Sequence, residues 1–293
     1  MCNATNPHRL SSPHRTGIVA IAIAAVSLIS GACSDNAKRL TAAQGLLAEA
    51  ETAVEAKNYA EAMTLLDSLN TAYREQLDVR RQSERVRAAA IEGVTIDSIE
   101  TCDYRLATLQ LQADSLAALF RRVEGTRGLE GYRVDNTVYA ADRLNATCVQ
   151  PRLSDDGYLY IVANLQGRRI GLNALAVAAG ADRAVSGTAS AERLVSVEGS
   201  ELLSLRQEEV TDIAQWLATH SNAKEISIEF IGTKGRHKAR LSATTAAAIV
   251  RTYAYAQVLQ EQHAQTILRE KLERTLATAR DHLANAPLPG EAQ

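Results

Sequence analysis

Two stretches of helical periodicity, far apart in the chain, constrain its architecture most. Ile99, Cys102, Leu106, Leu109, Ala113, Leu116, Phe120 and Val123 recur at alternating spacings of three and four, flanked by Asp, Gln, Arg and Thr. That is a heptad seam, and it predicts a coiled-coil helix over residues 93–125. Residues 242–284 form a second unbroken helical pattern, roughly 65 Å long at 1.5 Å per residue. A helix of that length needs a partner beyond a compact domain, and the seam at 97–124 supplies one. The segment between them, 126–241, reads as β-rich. It carries the chain out and brings it back, so the predicted helix pair is antiparallel with a β-rich head at its far end.

The head is read from alternation and turn residues. Tyr132-Arg133-Val134 with Thr137-Val138-Tyr139, Arg143 to Gln150 closed by Pro151, and Tyr158 to Leu165 are predicted strands. Gln166-Gly167 predicts a hairpin turn, with Arg168 to Val177 as the returning strand. Glu192 to Glu198 is a further strand candidate. Ser204-Leu205-Arg206-Gln207 has the spacing of a capping box and opens a predicted helix over about 204–220. Its apolar face is Val210, Ile213, Ala214 and Leu217, with Trp216 beside them as core. Lys224 to Ile231 and Arg236 to Leu241 predict a hairpin about Gly232-Thr233-Lys234-Gly235.

Upstream, Lys38 to Ala56 has three-to-four apolar spacing and ends at Lys57-Asn58. A second helix is predicted from Tyr59 to about Ala90, with a break at Gly93. The junction Asn58-Tyr59-Ala60-Glu61-Ala62 looks like a tetratricopeptide turn, in which a Tyr and an Ala pack between paired helices. One such unit is visible, where a repeat array needs about three. Residues 33–92 are therefore read as a lipidated N-terminus and a single TPR-like helical hairpin.

The first residues are a leader. Arg9 and Arg15 precede the apolar run Gly17 to Ile29, with small residues after it, as in a secretory signal peptide over 1–32. The apolar run is too short for the ~30 Å hydrocarbon core. Ser30-Gly31-Ala32-Cys33 resembles the lipobox of bacterial lipoproteins. The resemblance implies a diacylglycerol on the Cys33 thiol and Cys33 as the first mature residue. Ser30 and Ala32 also fit an ordinary small-x-small cleavage site, which starts the mature chain at the same place. Ser34 stands where an inner-membrane retention signal would have Asp, so the outer membrane is implied. Ser34-Asp35 looks like a weak acidic surface-export signal, and both the periplasmic and the surface face stay open.

The order of elements, with Asn58-Tyr59-Ala60-Glu61-Ala62 and Ile226-Ser227-Ile228-Glu229-Phe230-Ile231-Gly232, resembles a Bacteroidetes-type lipoprotein family with a TPR-like hairpin, a coiled coil, a β-rich middle and a long last helix. It implies architecture and no catalytic residues. The expected fold class is α+β: a TPR-like helical hairpin and a long antiparallel coiled-coil stalk with an inserted antiparallel β-rich head. Pro287, Pro289 and Gly290 predict a disordered tail over 285–293.

Composition narrows function mainly by exclusion. The leader removes two of the 32 basic and none of the 34 acidic residues, leaving 261 residues of net charge −4. That weakly acidic balance carries no nucleic-acid footprint. His220, His237, His263 and His282 show no metal-ligand spacing, so no metal or cofactor is expected. No nucleophile elbow or phosphate-binding loop is present, and Asp155-Asp156 precede Gly157 as a turn. An enzyme is not expected. Cys102 and Cys148 are a candidate disulfide pair in an oxidising compartment, although Cys102 falls on the seam, where it serves as a small buried hydrophobe.

Lys234, Arg236, Lys238 and Arg240 alternate, which puts them on one strand face with His237 opposite. They are the candidate anion-binding residues; the same charges also deter edge pairing. The expected partners are the membrane, through lipidated Cys33, and a protein contacted by the head or the hairpin. The alternative is a ligand-binding lipoprotein whose head takes a small molecule or a glycan, the latter on Tyr132, Tyr139, Tyr158 and Tyr160.

Overall fold

The computed structural model describes residues 32–125, 131–138, 146–197 and 199–285. The predicted leader up to Gly31, Tyr139, the first part of the strand predicted at 143–150, and the tail after Asn285 lie outside them. Among the described residues the chain is α+β, with five α-helices and two antiparallel sheets. No helix among these residues is long and apolar enough to cross a membrane.

The N-terminal unit is α1 (Ala32–Glu55), α2 (Tyr59–Ala72) and the first half of α3 (Leu77–Ala117). Lys57 reverses the chain in the left-handed region at φ 58°. The N–H of Asn58 donates to the Ala53 carbonyl at 2.8 Å, satisfying one of the free carbonyls at the end of α1. Ala43, Leu47 and Ala50 then bury against Leu66 and Leu69 of α2 and Val79 and Val86 of α3. Ala53, Ala62 and Ala90 close the same interface at its other end.

Two helix boundaries of this unit differ from expectation, each for a tertiary reason. The helix predicted from 59 to 90 stops at Ala72. There the Arg39 guanidinium of α1 donates to the Ala72 carbonyl at 3.0 Å and pairs with Glu75 at 2.5 Å. The expected break at Gly93 is absent, and α3 runs through it. A Cβ at residue 93 would lie 2.3 Å from the Tyr59 ring, so this glycine is where the ring lies against the helix. Its helix-propensity cost of about 1 kcal/mol is accepted for that contact.

The second half of α3 pairs with α5 (Ala243–Asn285). Ion pairs Glu92–Arg280 at 2.8 Å, Asp103–Arg269 at 2.5 Å and Arg105–Glu261 at 2.5 Å show that the two run antiparallel. Cys102, Leu109 and Ala113 of the seam are buried, while Tyr104 and Leu111 on the outer side are exposed. The seam outlasts the helix. α3 ends at Ala117, and Phe120 and Val123 belong to β1 (Phe120–Val123). Phe120 instead enters the head core, its ring 5.1 Å from that of Tyr255 on α5. Predicted coiled-coil residues 118–125 are therefore not helical.

The head holds β2 (Tyr132–Asp135), β3 (Cys148–Ser154), β4 (Leu159–Gln166), β5 (Leu172–Ala179), β6 (Asp182–Val185), β7 (Leu194–Val197), β8 (Ser200–Arg206), α4 (Gln207–Thr219), β9 (Ile226–Gly232) and β10 (Gly235–Leu241). The six-stranded sheet has the order β1-β2-β3-β4-β8-β7, and the four-stranded sheet β10-β9-β5-β6. Leu159, Ile161, Leu203 and Leu205 of the first sheet share one core with Leu175, Val177, Ile228 and Phe230 of the second. Val210, Ile213, Ala214 and Leu217 of α4 and Ile249 and Ala256 of α5 complete it. Burying those side chains is the main driving force for closing the head.

The predicted hairpin at Gln166-Gly167 does not form. β4 pairs with β3 and β8, whereas β5 pairs with β9 and β6, so the chain changes sheets here. The buried Glu201 carboxylate accepts from the N–H groups of Ile170, Gly171 and Leu172 at 3.1, 3.1 and 3.2 Å and so satisfies the crossing backbone. Pro151 does not close β3 but lies inside it, opposite Ile161 and beyond the short β2 pairing at Leu153 and Ser154, where β4 is its one pairing neighbour among the described residues. The helix expected from 204 starts at Gln207. Ser204 and Leu205 pair with Val162 and Ile161, and Glu209 instead accepts from the Arg206 N–H at 2.7 Å. β6 and β8 were not expected from sequence, β7 and the β9–β10 hairpin were.

Candidate functional site

The four alternating cations sit at one edge of the four-stranded sheet. Arg236, Lys238 and Arg240 are exposed on the outward face of β10, while His237 turns inward toward Phe230. Lys234 lies before the strand, in the turn, where its N–H donates to the Ile170 carbonyl at 2.8 Å. That bond ties the turn before the row to the segment that follows the exposed Arg168 and Arg169. Arg236 is partly neutralised by Glu229 at 3.6 Å, which also pairs with Arg183 at 2.6 Å. The side chains of Lys234, Lys238 and Arg240 make no hydrogen bond or ion pair among the described residues.

Behind the far end of β10 lies a cavity of about 600 Å³. Its floor is apolar and comes from four elements: Leu217 of α4, Ile226 of β9, Leu241 of β10 and Ala246 of α5, all buried. Its rim carries Lys224, Glu225, Arg240 and Arg251. A more open depression of about 420 Å³ adjoins it and shares Glu225, Ile226 and Arg240. Arg240 thus serves both the predicted cationic row and a cavity that the sequence does not show.

The rim arginines differ in commitment. Arg251 donates from Nε to Asp135 at 2.5 Å and from an Nη to the Thr137 hydroxyl at 3.1 Å. Asp135 is almost fully buried. Burial pushes its carboxyl up, but the bonds from Arg251 and Thr137 more than offset this and hold it below the ordinary aspartate value. Arg251 is therefore a clamp between α5 and β2. Among the described residues the Arg240 and Lys224 side chains carry no such partner. The first turn of α5 opens beside them, with the Ser242 hydroxyl accepting from the Thr245 N–H at 3.0 Å and no acidic residue in that turn.

Other sequence candidates do not converge on the cavity. Tyr132 is buried, edge-on to Tyr160 with ring centres 6.5 Å apart, and the Arg152 guanidinium covers it at 4.2 Å. Tyr158 is exposed, so the described tyrosines do not form an open sugar-stacking platform. Trp216 packs at the edge of the core. Its indole N–H donates to Asp182 at 3.2 Å, and its ring stacks on His220 at 4.0 Å. The Trp216 and His220 bonds hold the Asp182 carboxyl below its ordinary value.

The candidate disulfide is not formed. Cys102 and Cys148 are both free. Cys102 faces α5, its Sγ 3.2 Å from the Gln265 carbonyl, while Cys148 begins β3. Burial pushes the Cys148 thiol up, away from reactivity. Among the described residues no group of three or more His, Cys, Asp or Glu is placed to hold a metal ion.

Family models, curated proteins and solved structures yield no match to this chain. The functional reading therefore rests on the placement of the residues themselves.

Proposed function

We propose that this is a lipid-anchored protein of the cell envelope, held at the outer membrane through Cys33. Its role is structural or protein-interacting rather than enzymatic. In this reading α1 and α2 are a TPR-like hairpin, and α3 and α5 are a coiled-coil stalk that presents the β-rich head.

The observation that carries the reading is where the two ends of α3 lie. Cys33 lies in the first turn of α1, and Asn36 accepts from the Gln76 side chain at 2.8 Å, just before α3 starts. From Leu77 to Ala117 that helix advances about 60 Å at 1.5 Å per residue. The start of α1 and the head therefore stand at opposite ends of one continuous helix, which α5 braces along the head-proximal part. Two or three acyl chains would hold such a protein stably, where one would not.

Labelled palmitate and membrane fractionation test the anchor. The expected result is acyl label in the wild-type chain, co-fractionation with outer membrane, and loss of both in Cys33→Ser. A wild-type chain without label, sedimenting no differently from Cys33→Ser, would refute it. Protease shaving of intact cells then assigns the periplasmic or the surface face.

A further inference from the structure

The cavity at the α4–β9–β10–α5 corner has a specific chemical character. We propose that it binds a small anionic amphiphile, an acyl carboxylate, with the tail on the apolar floor and the carboxylate at the rim between Lys224 and Arg240.

Three observations lead there. The volume, about 600 Å³, lies in the ~300–1,000 Å³ range of small-molecule sites. The floor is made of buried aliphatic side chains, Leu217, Ile226, Leu241 and Ala246, with no aromatic platform and no buried polar group aimed at it. A sugar or nucleobase would find nothing there to stack on or to bond, whereas an alkyl chain would displace water from apolar surface. The rim is cationic and unsatisfied. Just over half of the described arginines hold an acid, as Arg39, Arg105, Arg193 and Arg269 do. Among the described residues the side chains of Lys224 and Arg240 make no ion pair or hydrogen bond, and Arg251 is committed to Asp135. Glu225 is the one acid on the rim, against two uncommitted cations. Ser242 and Ala243, at the positive end of α5, complete the wall and add to the preference for negative charge.

The site is independent of the anchor, so its test does not depend on acylation. The mature chain is made with Cys33→Ser and titrated calorimetrically with decanoate below its micelle concentration, with decanol as the uncharged control. The proposal predicts one saturable decanoate site, and decanol weaker by about tenfold, the size of one charge-assisted bond. Lys224→Gln with Arg240→Gln weakens decanoate by at least that factor and leaves decanol unchanged. Glu225→Gln tightens decanoate. Ala246→Phe fills the floor and removes both ligands. Lys224 and Arg240 are exposed, so the rim variants fold whatever becomes of Ala246→Phe. No saturable decanoate binding, equal binding of decanol, or binding indifferent to the rim variants would each overturn the proposal.

Discussion

Replacing Asp135 by Ala tests how the long C-terminal helix is locked to the head. The Asp135 carboxylate is 1% exposed and accepts three bonds: from Arg251 at 2.5 Å, from the Thr137 hydroxyl at 2.5 Å and from the Thr137 N–H at 2.8 Å. Removing one member of a buried ion pair costs about 3–5 kcal/mol, chiefly because the other charge is stranded. The Arg251 side chain keeps 31% of its exposure and can rehydrate, which places the effect at the low end. The stranded Thr137 donors add to it, for a net loss of about 3 kcal/mol. The assay is urea unfolding of the Cys33→Ser chain followed through Trp216, the single tryptophan. The pH dependence has a defined sign. The folded pKa of Asp135 is depressed, so its contribution is present above the unfolded value near 3.9 and is lost as pH falls through the lower folded value. The gap between wild type and Asp135→Ala is therefore wide at neutral pH and narrows in acid. A loss below about 1 kcal/mol, or a gap that does not narrow in acid, would refute the clamp.

Three further outcomes follow from the packing. Leu109→Ala, at a fully buried seam position, costs about 2–5 kcal/mol, whereas the exposed Leu111→Ala stays within about 0.5 kcal/mol by the same unfolding assay. Gly93→Ala destabilises by about 1–2 kcal/mol despite its helix-propensity gain, because the new Cβ meets the Tyr59 ring; Tyr59→Ala removes the penalty in a double-mutant cycle. The Cys33→Ser chain, purified without reductant and denatured, alkylates at both Cys102 and Cys148 with no mass change on prior reduction.

What the sequence made legible is what local periodicity can carry. The long helices, the β9–β10 hairpin and the cationic face of β10 all follow from spacings of two, three and four. What was not legible depends on distant partners. Phe120 and Val123 keep the heptad phase of α3, yet Phe120 is drawn into the head by Tyr255. β4 and β5 are both apolar runs flanking a turn residue, and only the buried Glu201 on β8 marks the chain's passage between sheets. The end of α2 is set by Arg39, more than thirty residues earlier in the chain. The same limit applies to the site. Arg240 was visible as one of an alternating row, but Lys224 and the apolar floor join it only when α4, β9, β10 and α5 meet.

The central claim is that an acyl anchor at Cys33 holds the head away from the membrane on a continuous α3. Energy transfer on the lipidated protein in vesicles tests it most directly, with acceptor lipids at the surface and a donor dye placed at Asp78 or at Ser115. Those positions lie about 55 Å apart along the helix at 1.5 Å per residue. The prediction is strong transfer from Asp78, little from Ser115, and none from either in Cys33→Ser. Equal transfer from the two positions, or transfer that survives Cys33→Ser, would contradict it.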